Sequence, residues 1–95
     1  MADGKTSSEI ETQLFATAIS SPIAKIYVNG FLLGQSFSDM TLVCQTNGTP
    51  SVLLNMSFTT AKSLAVKLNN IINTFEEKTK HTILTIDDIR TTMEQ

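Results

Sequence analysis

Residues 40–79 read MTLVCQTNGTPSVLLNMSFTTAKSLAVKLNNIINTFEEKT, and this stretch decides the fold because its apolar period changes from two residues to three or four. In its first half, apolar residues alternate along two short runs, as expected for half-buried strands. These residues are Met40, Leu42 and Cys44 in the first run and Val52, Leu54 and Met56 in the second. Asn47-Gly48 between the runs provides the residues that a tight turn with positive φ favours. The pattern predicts an antiparallel hairpin.

A helix is predicted directly after the hairpin. Ser57 has a hydroxyl suited to an N-cap, because it can accept a hydrogen bond from an unpaired amide of the first turn. The following apolar residues lie three or four positions apart and form one helical stripe. They are Phe58, Ala61, Leu64, Ala65, Leu68, Ile71, Ile72 and Phe75. We therefore expect an amphipathic helix that ends near residue 79.

Upstream of the hairpin, residues 23–35 are rich in β-forming side chains and predict a further strand. Asn29-Gly30 interrupts this strand either as a tight hairpin turn or as a break within one long strand, where Gly30 marks a bulge or a close backbone approach, and we favour the second. Residues 36–39, Ser-Phe-Ser-Asp, are expected to form a turn whose side chains satisfy local backbone groups.

Two shorter helices are expected near the ends of the chain. Ser8 and Glu11 have the spacing of a capping box, so residues 8–20 predict a helix that Pro22 follows, although the threonines there also suit a strand. Thr85 and Asp88 repeat the capping spacing and predict a final helix over 86–93. Residues 1–7 lack periodicity and are expected to be a disordered tail.

The expected fold class is α+β, with residues 8–95 as a single domain. An antiparallel meander sheet of three to four strands is followed by one long amphipathic helix packed on one face. A short N-terminal helix and a short C-terminal helix complete the domain. The chain has 95 residues, which is enough for one hydrophobic core and leaves no room for a second domain.

Composition excludes several classes of function. Hydrophobic residues make up 41% and charged residues 17% of the chain, which is too apolar for a disordered protein. A net charge of -2 gives no basic surface for nucleic acid, and no apolar run is long enough for a membrane span. Without an apolar signal segment after the N-terminus, a cytoplasmic protein is expected.

Catalytic and metal-binding constellations are missing from the sequence. His81 is the one histidine, and we interpret it as a solvated residue near a helix end. Cys44 is the one cysteine and is interpreted as a small core hydrophobe, so no disulfide is expected within the chain. Asp87-Asp88 more simply complements a helix N-terminus than binds a cation. We expect no enzymatic activity, no cofactor and no metal.

The first predicted strand is apolar on both faces, and this pattern points to self-association. Ile26, Val28 and Leu32 alternate with a second set, Tyr27, Phe31 and Leu33. One helix covers one face, so the other must meet the N-terminal helix, another protomer or a client protein. We take Tyr27, Phe31 and Leu33 as the candidate interface of a homo-oligomeric protein-binding module, an adaptor, regulator or holdase.

An alternative function is the sequestration of a small ligand, such as a nucleotide signal, by a protein of phage or bacterial origin. Polar residues near the predicted strand ends are the candidates for such a site between protomers. They are Lys25, Asn29, Asp39 and Lys62.

Residues 25–77 resemble a bacterial family known as domain of unknown function 3467. The similarity lies in YVNGF (27–31), SFSDMTL (36–42), NMSFTTAKSL (55–64), Leu68 and FEE (75–77). Phe58 stands where the family usually has proline, and Phe75 stands where it usually has tyrosine. The resemblance implies strands followed by one long helix and supplies no activity. A sheet backed by a long helix is also similar in architecture to the SecB export chaperone.

Overall fold

The computed structural model describes residues 6–93. The elements in chain order are α1 (Ser7–Ser20), β1 (Gly30–Gln35), β2 (Asp39–Thr46), β3 (Thr49–Ser57), α2 (Phe58–Thr79) and α3 (Ile86–Met93). The three strands form one antiparallel sheet in the order β1-β2-β3. The expected α+β class is therefore confirmed, with a three-stranded meander, one long helix and a short helix at each end. None of the helices within residues 6–93 is both long and apolar enough to cross a membrane.

The hairpin between β2 and β3 turns at Asn47-Gly48 as predicted. Asn47 has a φ of 51° and Gly48 a φ of 84°, which are the positive values that a two-residue hairpin turn needs. Thr46 pairs with Thr49 across the turn. The register shifts between Cys44 and Gln45, which pair with Val52 and Pro50, so Ser51 is the extra residue of a bulge in β3 close to the turn.

The first strand is shorter than the sequence predicted, because β1 begins at Gly30 and residues 23–29 form no regular structure. Gly30 pairs with Gln45, near the end of β2. The ladder cannot continue towards residue 23, since the partner chain turns away at Asn47. The hairpin turn considered at Asn29-Gly30 does not form, because β1 runs on from Gly30 beside β2 and the amide of Asn29 donates to the carbonyl of Gln45 at 3.0 Å. A Cβ atom on Gly30 would lie 3.0 Å from Gln45 Oε1, so glycine allows a close approach here.

The N-terminal helix begins one residue earlier than predicted. Its capping box is formed by Thr6 and Glu9, where the amide of Glu9 donates to Thr6 Oγ1 at 3.1 Å and the amide of Thr6 donates to Glu9 Oε1 at 3.3 Å. The predicted box of Ser8 and Glu11 is therefore wrong by two positions. Ser7 is helical, and residues 1–5 of the predicted tail lie outside the described residues.

Both remaining helix starts match their predicted caps. Ser57 Oγ accepts a hydrogen bond from the amide of Thr60 at 3.1 Å and begins α2. Thr85 Oγ1 accepts from the amide of Asp88 at 3.1 Å, while the amide of Thr85 donates to Asp88 Oδ2 at 3.1 Å. At its other end α2 stops at Lys80, whose φ of 60° breaks the helical path.

The long helix contacts β2 and β3 but has no buried side chain. The radius of gyration is 17.0 Å, whereas a compact domain of this length has roughly 12 Å. A single copy of the chain is therefore an extended structure, and its helices and sheet leave most of their apolar surface uncovered.

Replacing the cap of α2 tests how far this helix depends on local hydrogen bonding. Ser57→Ala removes the acceptor for the Thr60 amide and is expected to lower the free energy of unfolding by about 1 kcal/mol. Urea denaturation at one fixed protein concentration measures the change. Ser63→Ala, at an exposed position within the same helix, is the control and should leave stability unchanged or slightly raised, because alanine favours helix. An equal loss in both variants would contradict the capping role.

Candidate functional site

The strand register collects apolar side chains on one side of the sheet. Residues paired across strands share a face, and so do residues two apart in one strand. Three cross-strand rows follow from the pairing, and eight of their nine residues are apolar. We name these eight the apolar sheet face: Phe31, Leu33, Met40, Leu42, Cys44, Val52, Leu54 and Met56.

Burial across the apolar sheet face decreases from its centre towards β1. Cys44, on the central strand, is 7% exposed and is the one buried apolar side chain among the described residues. Phe31 is 55% exposed and Leu33 is 63% exposed, although both are large and apolar. The β1 side of this face is therefore open to solvent in a single copy.

Two of the three predicted interface residues lie together on this face. Phe31 and Leu33 point to the same side of β1, as the alternation predicted. Tyr27 lies before β1, outside the sheet, so its placement on the same strand face was wrong. Its carbonyl accepts a hydrogen bond from Thr46 Oγ1 at 2.6 Å, and its side chain is 78% exposed.

The opposite face of the sheet is mixed in character. Leu32, Val43 and Leu53 form a single apolar row across the three strands. Beside that row, Thr41 Oγ1 and Asn55 Oδ1 are joined by a hydrogen bond of 2.8 Å. Ile26 and Val28, expected on this face with Leu32, lie in the irregular segment before β1.

The four predicted ligand residues do not come together within one copy of the chain. Asn29 adjoins the end of the sheet where Gly30 pairs with Gln45, whereas Asp39 pairs with Ser57 at the other end. These ends are roughly 20 Å apart at about 3.3 Å per strand residue. Lys62 follows the Ser57 end as part of α2.

Each of two predicted ligand residues also has local hydrogen-bond partners. Lys25 Nζ donates to the carbonyl oxygens of Ser21 at 3.0 Å and Ile23 at 3.5 Å. Asn29 Nδ2 donates to Asn47 Oδ1 at 2.9 Å, and Asn29 Oδ1 accepts from the amide of Asn47 at 2.8 Å. The two asparagines therefore clamp the segment before β1 to the hairpin turn.

A half-open cleft of about 870 Å³ lies between this clamped end of the sheet and the start of α3. Its walls combine apolar side chains, amides and one guanidinium group. The lining residues are Asn29, Gly30, Phe31, Leu32, Gln45, Gly48, Leu84, Thr85, Ile86, Asp87 and Arg90. Arg90 Nη1 lies 3.7 Å from Asp87 Oδ1, in an exposed pair of the kind that contributes little to stability.

The remaining candidates for chemistry keep their structural interpretations. Ser36 Oγ accepts from the amides of Ser38 and Asp39, so the 36–39 segment is a turn that satisfies its own backbone. His81 is exposed in the segment between α2 and α3. Within residues 6–93, no group of three or more histidine, cysteine or acidic side chains is placed to hold a metal ion.

Sequence reasoning missed the cleft because its two walls are distant in the chain. Residues 29–48 form one wall and residues 84–90 the other, and no short motif links them. Neither Gln45 nor Arg90 belongs to a sequence pattern that predicts a binding site. The β2 and β3 members of the apolar sheet face were accessible to the sequence as strand residues, and only the register joins them to Phe31 and Leu33.

Comparison of the chain with family models, with curated proteins and with solved structures gave no match.

The asparagine clamp can be tested by a graded pair of substitutions. Asn29→Asp keeps the acceptor for the Asn47 amide and removes the donor to Asn47 Oδ1, whereas Asn29→Ala removes both. We expect losses in stability of the order of 1 kcal/mol per hydrogen bond, with alanine the more damaging. Hydrogen exchange at the Asn47 amide should accelerate in Asn29→Ala and less in Asn29→Asp. Unchanged exchange in both variants would contradict the clamp.

Proposed function

We propose that this chain is a homo-oligomeric protein-binding module that acts without catalysis, with the β1 side of the apolar sheet face as its working surface. One observation carries the proposal. Among the described residues, most large apolar side chains of the sheet and helices remain exposed in a single copy, and Cys44 is the one apolar residue that is buried. The half-buried apolar residues of the sheet are Met40, Leu42, Val43, Val52 and Met56.

The amount of uncovered surface supports assembly. The accessible surface of one copy is 8199 Å², whereas a compact chain of this length exposes roughly 5,400 Å². Obligate homodimers bury about 2,000–5,000 Å² in total. The accessible surface that a single copy exposes beyond that of a compact chain is therefore large enough to form a permanent interface.

The composition of the exposed surface favours apolar contact over electrostatic steering. Phe31 and Leu33 are uncharged and large, and the net charge of the chain is only -2. Met40 and Met56 on the same face have flexible side chains that can adapt to irregular apolar partners. A second copy or an apolar segment of another protein fits this surface, as in an adaptor, a regulator or a SecB-like holdase.

A charge on the working surface should prevent assembly. Phe31→Asp places a carboxylate where we expect a partner to exclude water, and desolvating an unpaired charge is costly. We expect association to weaken by at least about tenfold, measured by native mass spectrometry over a dilution series. Circular dichroism shows whether the helices remain.

Phe37→Asp is the matched control for this experiment. Phe37 lies six residues away in the 36–39 turn and is fully exposed, at 107%, so its replacement should leave the mass unchanged. If wild-type protein is monomeric at micromolar concentration, the proposal is wrong. It is also wrong if Phe31→Asp assembles as well as Phe37→Asp.

The cleft beside α3 supports a second candidate function, the sequestration of a small anionic ligand such as a nucleotide signal. The guanidinium of Arg90 can pair with a phosphate, while Phe31 offers an aromatic surface to a base. Of the four residues predicted for this role, only Asn29 lines the cleft.

A thermal-shift screen against nucleoside phosphates and cyclic dinucleotides tests this second function. A ligand at about 100 times its Kd stabilises the folded state by roughly 2.7 kcal/mol, which raises Tm by several degrees for a domain of this size. Arg90→Ala should abolish the shift. Lys62→Ala, outside the cleft, should retain it. The absence of any shift in wild-type protein would exclude sequestration of these ligands.

A further inference from the structure

We infer that the free edge of β1 pairs with β1 of a second copy, in antiparallel orientation, so that two three-stranded sheets join into one of six strands. This inference rests on the proposed homo-oligomeric function and specifies how the copies meet. Within residues 6–93 of one copy, β1 lies at the edge of the sheet and pairs only with β2.

The hairpin geometry identifies the backbone groups of β1 that lack a partner within one copy. The amide of Ser36 donates to the carbonyl of Asp39 at 2.9 Å, so Ser36 directs its backbone groups towards β2. Because these groups alternate along a strand, Gly34 and Leu32 also face β2. Phe31, Leu33 and Gln35 then direct their amides and carbonyls outward, towards a new strand.

The residues of β1 include none of the charged or proline side chains that usually block strand addition. Its sequence GFLLGQ contains no charge and no proline, and its pairing with β2 is regular from residue 30 to residue 35. The other edge of the sheet, β3, contains Pro50 and runs directly into α2, which contacts it. Strand addition is therefore favoured at β1.

A register centred on Leu33 makes the edge complementary to itself, as a two-fold interface requires. Phe31 then lies opposite the partner's Gln35, and the outward backbone groups form six hydrogen bonds. On the mixed face, Leu32 lies opposite the partner's Gly34. Gly34 has no atom within 4 Å of the position of a Cβ, so open space is available for that leucine.

A second copy fits this edge better than an unrelated strand does. A large residue and a glycine at positions 32 and 34 are complementary to the same two residues of a second copy running in the opposite direction. Pairing would also join two apolar sheet faces into one continuous surface, since Phe31 and Leu33 line the shared boundary. Side-chain contacts along this boundary would cover part of the surface that each single copy leaves exposed.

Disulfide trapping tests the register. Leu32 and the partner's Gly34 would form a non-hydrogen-bonded pair, with Cα atoms about 4.5 Å apart, which suits a disulfide. In a Cys44→Ala background, the double variant Leu32→Cys with Gly34→Cys should oxidise to a covalent dimer, detected on a non-reducing gel. Each single variant should remain mostly monomeric on the same gel, because in this register neither residue 32 nor residue 34 lies opposite the equivalent residue of the second copy.

Leu53→Cys with Asn55→Cys, in the same background, is the matched control, since these residues have the same spacing on the other edge strand. Faster dimer formation in the 32/34 variant than in this control supports the inference. Equal rates, in a protein that native mass spectrometry shows to be oligomeric before oxidation, would overturn the β1 pairing and leave the proposed function intact. A monomeric mass for the reduced wild-type protein would overturn both.

Discussion

A three-stranded sheet with apolar side chains on both faces requires more covering surface than one amphipathic helix provides. In this chain, the cross-strand rows place eight apolar residues on one face and a further row, Leu32, Val43 and Leu53, on the other. The long helix contacts β2 and β3 and still buries none of its own side chains. Burial of apolar surface is the main favourable term in folding. The apolar surface left uncovered in a single copy therefore reduces the free energy that stabilises it.

The central strand gives the sheet its order. β2 pairs with both neighbours, and Cys44, the sixth of its eight residues, is buried between Phe31 and Val52. The turn at Asn47-Gly48 ends β2 and thereby limits the length of β1, because Thr46 is the one residue of β2 beyond Gln45, the partner of Gly30. Asn29 compensates by bonding its side chain to Asn47. Asn29, Asn47 and Gly48 therefore limit the length of β1 and β2, and two of them, Asn29 and Gly48, line the cleft beside α3.

In the proposed assembly, the exposed edge and the exposed face serve one purpose. Pairing at β1 would satisfy the outward amides and carbonyls of the edge strand, and it would place Phe31 and Leu33 at the middle of a larger apolar surface. The apolar surface of an assembled pair would then be available to bind a client protein. Catalysis has no part in this proposal, because the binding surface is apolar and uncharged.

Local features were predicted correctly from the sequence where they depend on neighbouring residues. Positive φ at Asn47 and Gly48, the Ser57 cap and the capping box of Thr85 with Asp88 all arise within a few residues. The start of β1 was predicted incorrectly, because strand length depends on a partner that is distant in the chain. The placement of Tyr27 failed for the same reason. The capping box of α1 was predicted incorrectly for a local reason, because two overlapping polar pairs had suitable spacing.

The sequence by itself determined the fold class, the order of the elements and the hairpin turn, because period and turn chemistry are local properties. For the same reason it determined that Phe31 and Leu33 lie on one face of their strand. Only the tertiary structure decided that Asn29 and Asp39 lie at opposite ends of the sheet, that Arg90 shares a cleft with Asn29, and that Cys44 is buried while the helices remain exposed. These facts depend on contacts between residues far apart in the chain, and the register and the packing of the elements establish those contacts.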